Sequence, residues 1–133
     1  MSNYDKFFAD LKILQNADPK QAYSDEKYRM DLIKMFNMTF GVASKILADA
    51  LNNLTHGQTL DNPELFYDLC MEKGLISDSQ VWENMQNDRN ISLFIYNEKT
   101  TAEILVRVIS SYIPALSEFG EMLKKHAQTG RQN

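Results

Sequence analysis

One long helical repeat, from about Ser24 to Leu54, limits the folds that are open to this chain. Apolar residues recur there at every third or fourth position, which is the periodicity of one helix face. The stripe consists of Leu32, Phe36, Phe40, Ala43, Leu47, Ala50 and Leu54, and it is widened by Ile33, Met35, Met38, Val42 and Ile46. A helix that is apolar around so much of its circumference needs two packing partners. We therefore expect either burial at the centre of a bundle or, for part of the face, an interface with a second copy.

Shorter periodic stretches and capping signals predict further helices. A first amphipathic helix is expected over residues 4–15, followed by a short connection at Pro19. Ser24 predicts the N-cap of the long helix, and Asn62 before Pro63 predicts the start of a short one.

Two capping boxes organise the second half of the chain. Ser77-x-x-Gln80 predicts the start of a helix that ends soon after Asn90 in an extended turn. Thr100-x-x-Glu103 predicts the start of another helix, which continues to about residue 126 and is kinked at Pro114.

The composition agrees with one helical domain. Five glycines and three prolines are few for an all-β protein with many tight turns. At 133 residues the chain has the size of one domain, so we assign residues 1–133 to it, with a core at 4–126 and a frayed tail at 127–133. The predicted fold is all-α, an antiparallel up-and-down bundle of the four-helix type with extra short helices.

Charge, cysteine content and the length of apolar runs exclude several classes of protein. The net charge of −4 gives no overall attraction to phosphates, so nucleic acid is not an expected partner. No apolar run approaches the ~20 residues that span a bilayer, so no membrane partner is expected either. The single cysteine, Cys70, and an N-terminus without a leader-like pattern indicate a cytoplasmic protein.

An arginine stands on an otherwise core-facing helix face. Trp82, Met85, Arg89 and Ser92 recur at spacings of three, four and three residues and so share that face. The guanidinium needs a partner or a route to water. Either its methylenes pack while its head reaches solvent, or it lines a pocket.

Motifs for self-sufficient catalysis are absent from the sequence. It has no glycine-rich phosphate loop, no CxxC pair and no HExxH. His56 lies in an expected loop and His126 near an expected frayed end, so neither is a credible general base. Acidic pairs such as Asp25-Glu26 are explained by helix first turns. We expect no metal, no cofactor and no enzyme activity from this chain alone.

The segment 32–45, read together with Trp82-x-x-Met85-x-x-x-Arg89-Asn90, resembles the nucleotidyltransferase substrate-binding protein family. These proteins are small helical bundles of the HEPN type, related in shape to the C-terminal domain of kanamycin nucleotidyltransferase. They are typically encoded beside a minimal nucleotidyltransferase. The resemblance covers about residues 4–124 and includes the Pro63-Glu64 helix start, the Gly74-Leu75-Ile76 turn and the closing segment 112–116.

The resemblance also bears on a ribonuclease motif. HEPN toxins carry Arg-x-x-x-x-His-x-Tyr near a dimer interface, and the matching residues here are Arg89, Phe94 and Tyr96. A phenyl ring transfers no proton, so the motif is degenerate at Phe94. In some pairs of this group the nucleotidyltransferase adenylylates the motif tyrosine, which makes Tyr96 a candidate acceptor. The alternative for Tyr96 is a ring packed at a helix end.

A ligand or partner pocket is a further implication of the resemblance. Its expected members are Phe36, Phe40, Lys45, Trp82, Met85, Arg89 and Asn90. The chain departs from the family on the long helix, where Asn37, Gly41 and Ser44 replace glutamates and a tryptophan. These changes remove charge and bulk from one wall of that pocket.

Three functions follow as hypotheses. The first is a non-catalytic substrate-binding or partner subunit of a separate minimal nucleotidyltransferase, as a homodimer within a hetero-oligomer. The second is a ribonuclease toxin of a toxin–antitoxin pair that uses Arg89 with another base. The third is a stand-alone structural or regulatory bundle.

Overall fold

The computed structural model describes residues 2–55, 62–94 and 97–132, and every regular element in this part of the chain is helical. The helices are α1 (Asn3–Gln15), α2 (Pro19–Ser24), α3 (Glu26–Thr55), α4 (Pro63–Glu72), α5 (Ser79–Phe94), α6 (Glu98–Arg107) and α7 (Ile113–Gln132). A π-helical turn, Val108–Tyr112, joins α6 directly to α7. The all-α fold predicted from the sequence is confirmed.

Helix α3 lies at the centre of the bundle, as its wide apolar stripe predicts. It packs against α1, α2, α5 and α6. Eight of its buried residues come from the stripe and its widening: Leu32, Ile33, Phe36, Phe40, Val42, Ala43, Ile46 and Leu47. Thr39 and Leu51, which belong to neither group, are buried as well. Met38 and Leu54 remain about half exposed, at 49% and 51%. Whether these exposed positions meet a second copy stays a prediction.

Aromatic rings connect the helices across the core. Phe36 of α3 stacks on Tyr112 with ring centroids 5.2 Å apart. Trp82 of α5 meets Phe119 of α7 edge to face at 5.1 Å, and Phe119 in turn contacts Phe7 of α1. The edge-to-face pairs fix α1, α5 and α7 against one another, because such pairs add orientation to simple burial. The stacked pair fixes α3 against the π-helical turn.

The starts of α3, α5 and α6 differ from the sequence prediction because the side chain of another residue provides the cap. Asp25, rather than Ser24, accepts from the backbone of α3, at Tyr28 N (3.2 Å). Asp78, rather than Ser77, accepts from Gln80 N at 3.0 Å in the first turn of α5.

The start of α6 and that of α4 show the same mechanism. Asn97 Oδ1 accepts from Thr100 N at 2.8 Å, so α6 begins before the expected capping box. Asn62 Oδ1 accepts from Glu64 N at 2.8 Å, which confirms the predicted start of α4.

Three segments are more helical than the sequence pattern indicates. The expected connection after α1 is the short helix α2, with Asp18 as its N-cap and Pro19 in its first turn. The expected extended turn after Asn90 is wrong, because α5 continues to Phe94. Helix α7 continues to Gln132, so its backbone extends through most of the expected tail.

The expected kink at Pro114 takes the form of the π-helical turn just before it. Pro114 has no N–H to donate and its ring crowds the preceding turn. The wider turn accommodates it, with the N–H of Ile113 donating to Val108 O. The turn also places Tyr112 in the core, at 1% exposure.

Candidate ligand and partner site

The predicted face of α5 packs against α3. Trp82 and Met85 are buried at 2% and 0% exposure, while Arg89 and Ser92 are half-buried one and two turns further on. Asn37 Nδ2 of α3 donates to Ser92 Oγ at 2.9 Å, and Ser92 Oγ donates to the carbonyl oxygen of Arg89, also at 2.9 Å. A chain of hydrogen bonds therefore ties α3 to the backbone at Arg89.

The Arg89 guanidinium lies directly against Gly41. A Cβ atom at position 41 would sit 3.6 Å from Arg89 Nη2 and 4.0 Å from Cζ, which are ordinary van der Waals distances, so alanine would fit beside the arginine. The neighbour of this glycine is thus a side chain. A residue larger than alanine would displace the guanidinium.

Among the described residues, no carboxylate pairs with the positive charge of Arg89. Its Nε atom is buried and has no hydrogen-bond partner within that part of the chain. Unpaired buried donors are uncommon and costly in folded proteins. The half-buried guanidinium therefore keeps one buried donor that no described residue satisfies.

Asn37, Gly41 and Ser44 form one wall of α3 opposite α5 and α4. Asn37 bonds Ser92, Gly41 contacts Arg89, and Ser44 lies beside the phenol of Tyr67. The sequence-based assignment of the three positions to one wall agrees with these contacts. Ser44 Oγ is buried without a hydrogen-bond partner, so it is a second unsatisfied polar atom in addition to Arg89 Nε.

Arg89 and its neighbours Asn37, Gly41, Ser92 and Tyr67 are called the Arg89 niche. Tyr67 lies on the α4 side of it. Its hydroxyl donates to Gln86 Oε1 of α5 at 2.7 Å. Burial raises the pKa of Tyr67 to about 12, while the adjacent Ser44 hydroxyl acts in the opposite direction. The phenol therefore stays neutral and serves as a hydrogen-bond donor rather than as a base.

The sequence pattern did not identify the buried carboxylate of Asp88, the residue before Arg89. Asp88 is 5% exposed and accepts from Arg107 Nε at 2.6 Å and from Arg107 Nη2 at 3.0 Å. The Tyr112 hydroxyl donates to the same carboxylate. The hydrogen bond with Asp88 raises the pKa of Arg107, and burial followed by the Asp88 contact raises that of Tyr112. One sequence signal was present, since Asp88 follows Met85 by three residues and so borders the core face.

Comparisons with known proteins place the chain in a family and match its fold to a solved structure. The family model for nucleotidyltransferase substrate binding protein like proteins matches residues 1–125. The chain belongs to this family. The crystal structure of a protein from Thermus thermophilus aligns with it at a TM-score of 0.66 and 25% identity, over 92% of this chain and 97% of that chain. No curated protein matches the chain significantly.

The pocket residues expected for this substrate-binding family separate into two groups. Phe36, Phe40, Trp82 and Met85 lie in the core, at 0%, 1%, 2% and 0% exposure, and so support the face from behind. Lys45 and Asn90 are exposed, whereas Arg89 is half-buried and accessible at the edge of the niche.

Of the three motif residues that the resemblance indicates, Arg89 and Phe94 lie within the described residues. Phe94 is 82% exposed at the end of α5. It follows Arg89 by five residues, so the two side chains leave the helix about 140° apart around its axis. Tyr96 lies outside the described residues, as does His56, and His126 is exposed.

The described residues were also compared with the requirements of a metal site and of a membrane-spanning helix. No group of three or more histidine, cysteine, aspartate or glutamate side chains in residues 2–55, 62–94 and 97–126 could hold a metal ion. None of the described helices combines the length and the hydrophobicity needed to cross a membrane.

Proposed function

We propose that this chain is a non-catalytic partner subunit that binds a separately encoded minimal nucleotidyltransferase and offers it a substrate or an acceptor. In this proposal the chain is a homodimer within a hetero-oligomer in the cytoplasm. The family membership supports the substrate-binding role. The observation that carries the proposal is the Arg89 niche, which presents a cation for binding and, among the described residues, holds no general base.

The niche favours binding over catalysis because of what surrounds Arg89. Its described neighbours are Gly41, Asn37, Ser92 and the neutral phenol of Tyr67, none of which is a general base near neutral pH. Phe94 stands where a ribonuclease of the HEPN group has histidine. A guanidinium alone can hold a phosphate or carboxylate, and that is the role we assign to Arg89.

Arg107 on α6 and Arg89 on α5 illustrate the difference between a structural and a binding role. Arg107 is neutralised inside the chain by two hydrogen bonds to Asp88. Arg89 has no such carboxylate among the described residues, so its charge is available to an anionic group of a substrate or partner. We propose Tyr96, which follows this niche in sequence, as the acceptor if the partner adenylylates this chain.

Co-purification with a nucleotidyltransferase encoded beside the gene for this chain tests the proposal. We expect a stable complex with the native chain and at least about tenfold weaker association for Arg89→Ala, the loss expected from a desolvated charge pair. Lys12→Ala on α1, which packs on α3 and α7 away from α5, is the matched control and should associate normally. Absence of any complex would overturn the partner role.

Intact mass measurement then tests the acceptor separately. After incubation of the complex with ATP and magnesium, an adenylyl mass shift should appear and should be lost in Tyr96→Phe. A complex without a mass shift would remove the acceptor role of Tyr96 and leave the partner role intact.

The two alternatives give opposite outcomes in cells. A ribonuclease toxin should arrest growth when expressed alone, and Arg89→Ala should relieve the arrest. A stand-alone bundle should be harmless and should have no nucleotidyltransferase gene beside it. The proposed partner subunit should be harmless but should have that neighbouring gene.

A further inference from the structure

A cavity of about 310 Å³ lies at the N-terminal end of α5, at the opposite end of that helix from Phe94. It opens between the loop that follows Gly74, the first turn of α5 and one face of α7. Arg89 and the α3 wall do not line it. The volume falls within the range of small-molecule pockets, about 300–1,000 Å³.

The cavity exists because small residues of the π-helical turn and of α7 face the loop. Ser111 in the π-helical turn and Pro114 and Ala115 in the first turn of α7 line it at helical spacing. Gly74, at φ 77°, turns the chain away from the end of α4 on the other side. Large side chains at these positions would fill the space.

The floor of the cavity is aromatic. Trp82 and Phe119 line it with their rings 5.1 Å apart and perpendicular, and both are fixed in the core. A rigid aromatic surface favours a flat apolar group, and an aromatic ring also attracts a cation placed near its face.

The ionisable groups of the cavity all have one sign. Asp78 and Glu118 are its only charged lining residues, and no lysine, arginine or histidine is among the described side chains that line it. Asp78 Oδ1 accepts from Gln80 N at 3.0 Å, so one of its oxygens already compensates the positive end of α5. The remaining charge at the rim is therefore negative.

We infer that this cavity binds a small organic cation with an apolar body. The ammonium group lies at the rim between the carboxylates of Asp78 and Glu118, and the apolar part packs on Trp82 and Phe119. The hydroxyl of Ser111 provides a further acceptor on the α7 side. This site is separate from the Arg89 niche and does not rest on the proposed partner role.

Trp82 provides a direct readout because it is the single tryptophan of the chain and lines the cavity. We expect phenethylamine to change the tryptophan fluorescence of the full chain with saturation in the millimolar range. The near-isosteric neutral 2-phenylethanol should bind at least about fivefold more weakly, since it lacks the charge pair, and the anionic phenylacetate should not bind. Added salt should weaken phenethylamine binding. Isothermal titration calorimetry provides a second measurement independent of fluorescence.

Two substitutions test the free volume of the cavity and its negative charge separately. Ala115→Leu should fill the space and abolish binding of phenethylamine, with unchanged circular dichroism because Ala115 is only half-buried. Glu118→Gln should weaken binding about threefold, which is the size of one partly exposed ion pair. Glu121→Gln is the matched control on the same helix, since Glu121 pairs with Lys124 and does not line the cavity.

The inference has clear contradicting outcomes. Equal binding of 2-phenylethanol, or an unchanged affinity in Glu118→Gln, would show that charge does not select the ligand. Binding that persists in Ala115→Leu would place the ligand elsewhere. Absence of binding by phenethylamine would overturn the site itself.

Discussion

Asp88 shows how one side chain can fix the packing of a helix. Its carboxylate is 5% exposed, yet it is bound by both the Arg107 guanidinium and the Tyr112 hydroxyl. These partners come from α6 and from the π-helical turn, so the three groups connect α5 to the last third of the chain. A buried carboxylate is stable only with such partners.

Removal of the Asp88 carboxylate should therefore destabilise the protein. We expect Asp88→Ala to lower the free energy of unfolding by about 2 kcal/mol, less than the ~3–5 kcal/mol typical of a fully buried pair. The reduction reflects Arg107, whose side chain is 41% exposed and can turn to water. Chemical denaturation measures the effect.

Asp68→Ala on α4 is the matched control for Asp88→Ala, because it removes an exposed carboxylate from a helix. It should change stability by less than about 0.5 kcal/mol. Equal stabilities of the two variants would contradict the structural role of Asp88.

The sequence predicts individual residues well where periodicity applies and poorly where pairing across the chain is needed. Spacing alone places Arg89 on the α3-facing side of α5. Its contact with Gly41 and the pairing of Asp88 with Arg107, nineteen residues away, depend on how separate helices dock. No local pattern in the sequence contains that information.

At the scale of helices, existence is easier to predict than boundaries. Asp25 and Asp78 cap α3 and α5 where the pattern predicts Ser24 and Ser77, because two adjacent residues of each pair can both act as caps. The predicted end of α5 is too early since Ile91 and Leu93 alternate as in a strand. That alternation reflects half-exposed positions on a helix, at 37% and 48% exposure.

Two glycines inside helices should respond oppositely to alanine. A Cβ at Gly41 would make an ordinary contact at 3.6 Å, so Gly41→Ala should raise the free energy of unfolding by about 0.5–1 kcal/mol through helix propensity. A Cβ at Gly120 would lie 3.1 Å from Leu11 Cδ2 and 3.2 Å from Phe8 Cε1. Overpacking there should lower stability by about 1 kcal/mol.

Thermal unfolding of the two glycine variants in parallel tests this assignment, since each serves as the control for the other. Gly41→Ala should also keep the far-ultraviolet circular dichroism of the native chain. Equal shifts in the same direction would contradict the packing described for α1 against α7.

At the scale of the whole molecule, the wide apolar stripe of α3 is sufficient to predict a helix with two packing partners. Which helices cover it is not predictable, because the docking of α1, α2, α5 and α6 on α3 depends on contacts between residues that are distant in the sequence. The Arg89 niche and the cavity at the start of α5 both arise where covering is incomplete. In each, a glycine or another small residue leaves the space.

Buried acids with raised pKa values should make the folded chain sensitive to alkali. Burial raises the pKa of Cys70 from 9.0 and that of Tyr67 from 10.0, each to about 12, and the pKa of Tyr112 is raised as well. The folded state then holds protons that the unfolded state has already lost. Their contribution is complete below the unfolded pKa values and falls as pH rises towards the folded ones.

The expected loss for Tyr67 alone between neutral pH and about pH 11 is on the order of 1 kcal/mol. Urea unfolding of Tyr67→Phe should show a smaller decrease in stability over that interval than the native chain, because phenylalanine does not ionise. At neutral pH the same variant should be slightly less stable, since the Tyr67 hydroxyl no longer donates to Gln86. Tyr23→Phe, at a position that is 51% exposed, should leave the pH dependence unchanged. Identical pH dependence in Tyr67→Phe and Tyr23→Phe would mean that the niche around Tyr67 is open to water, and the neutral phenol assigned there would have to be abandoned.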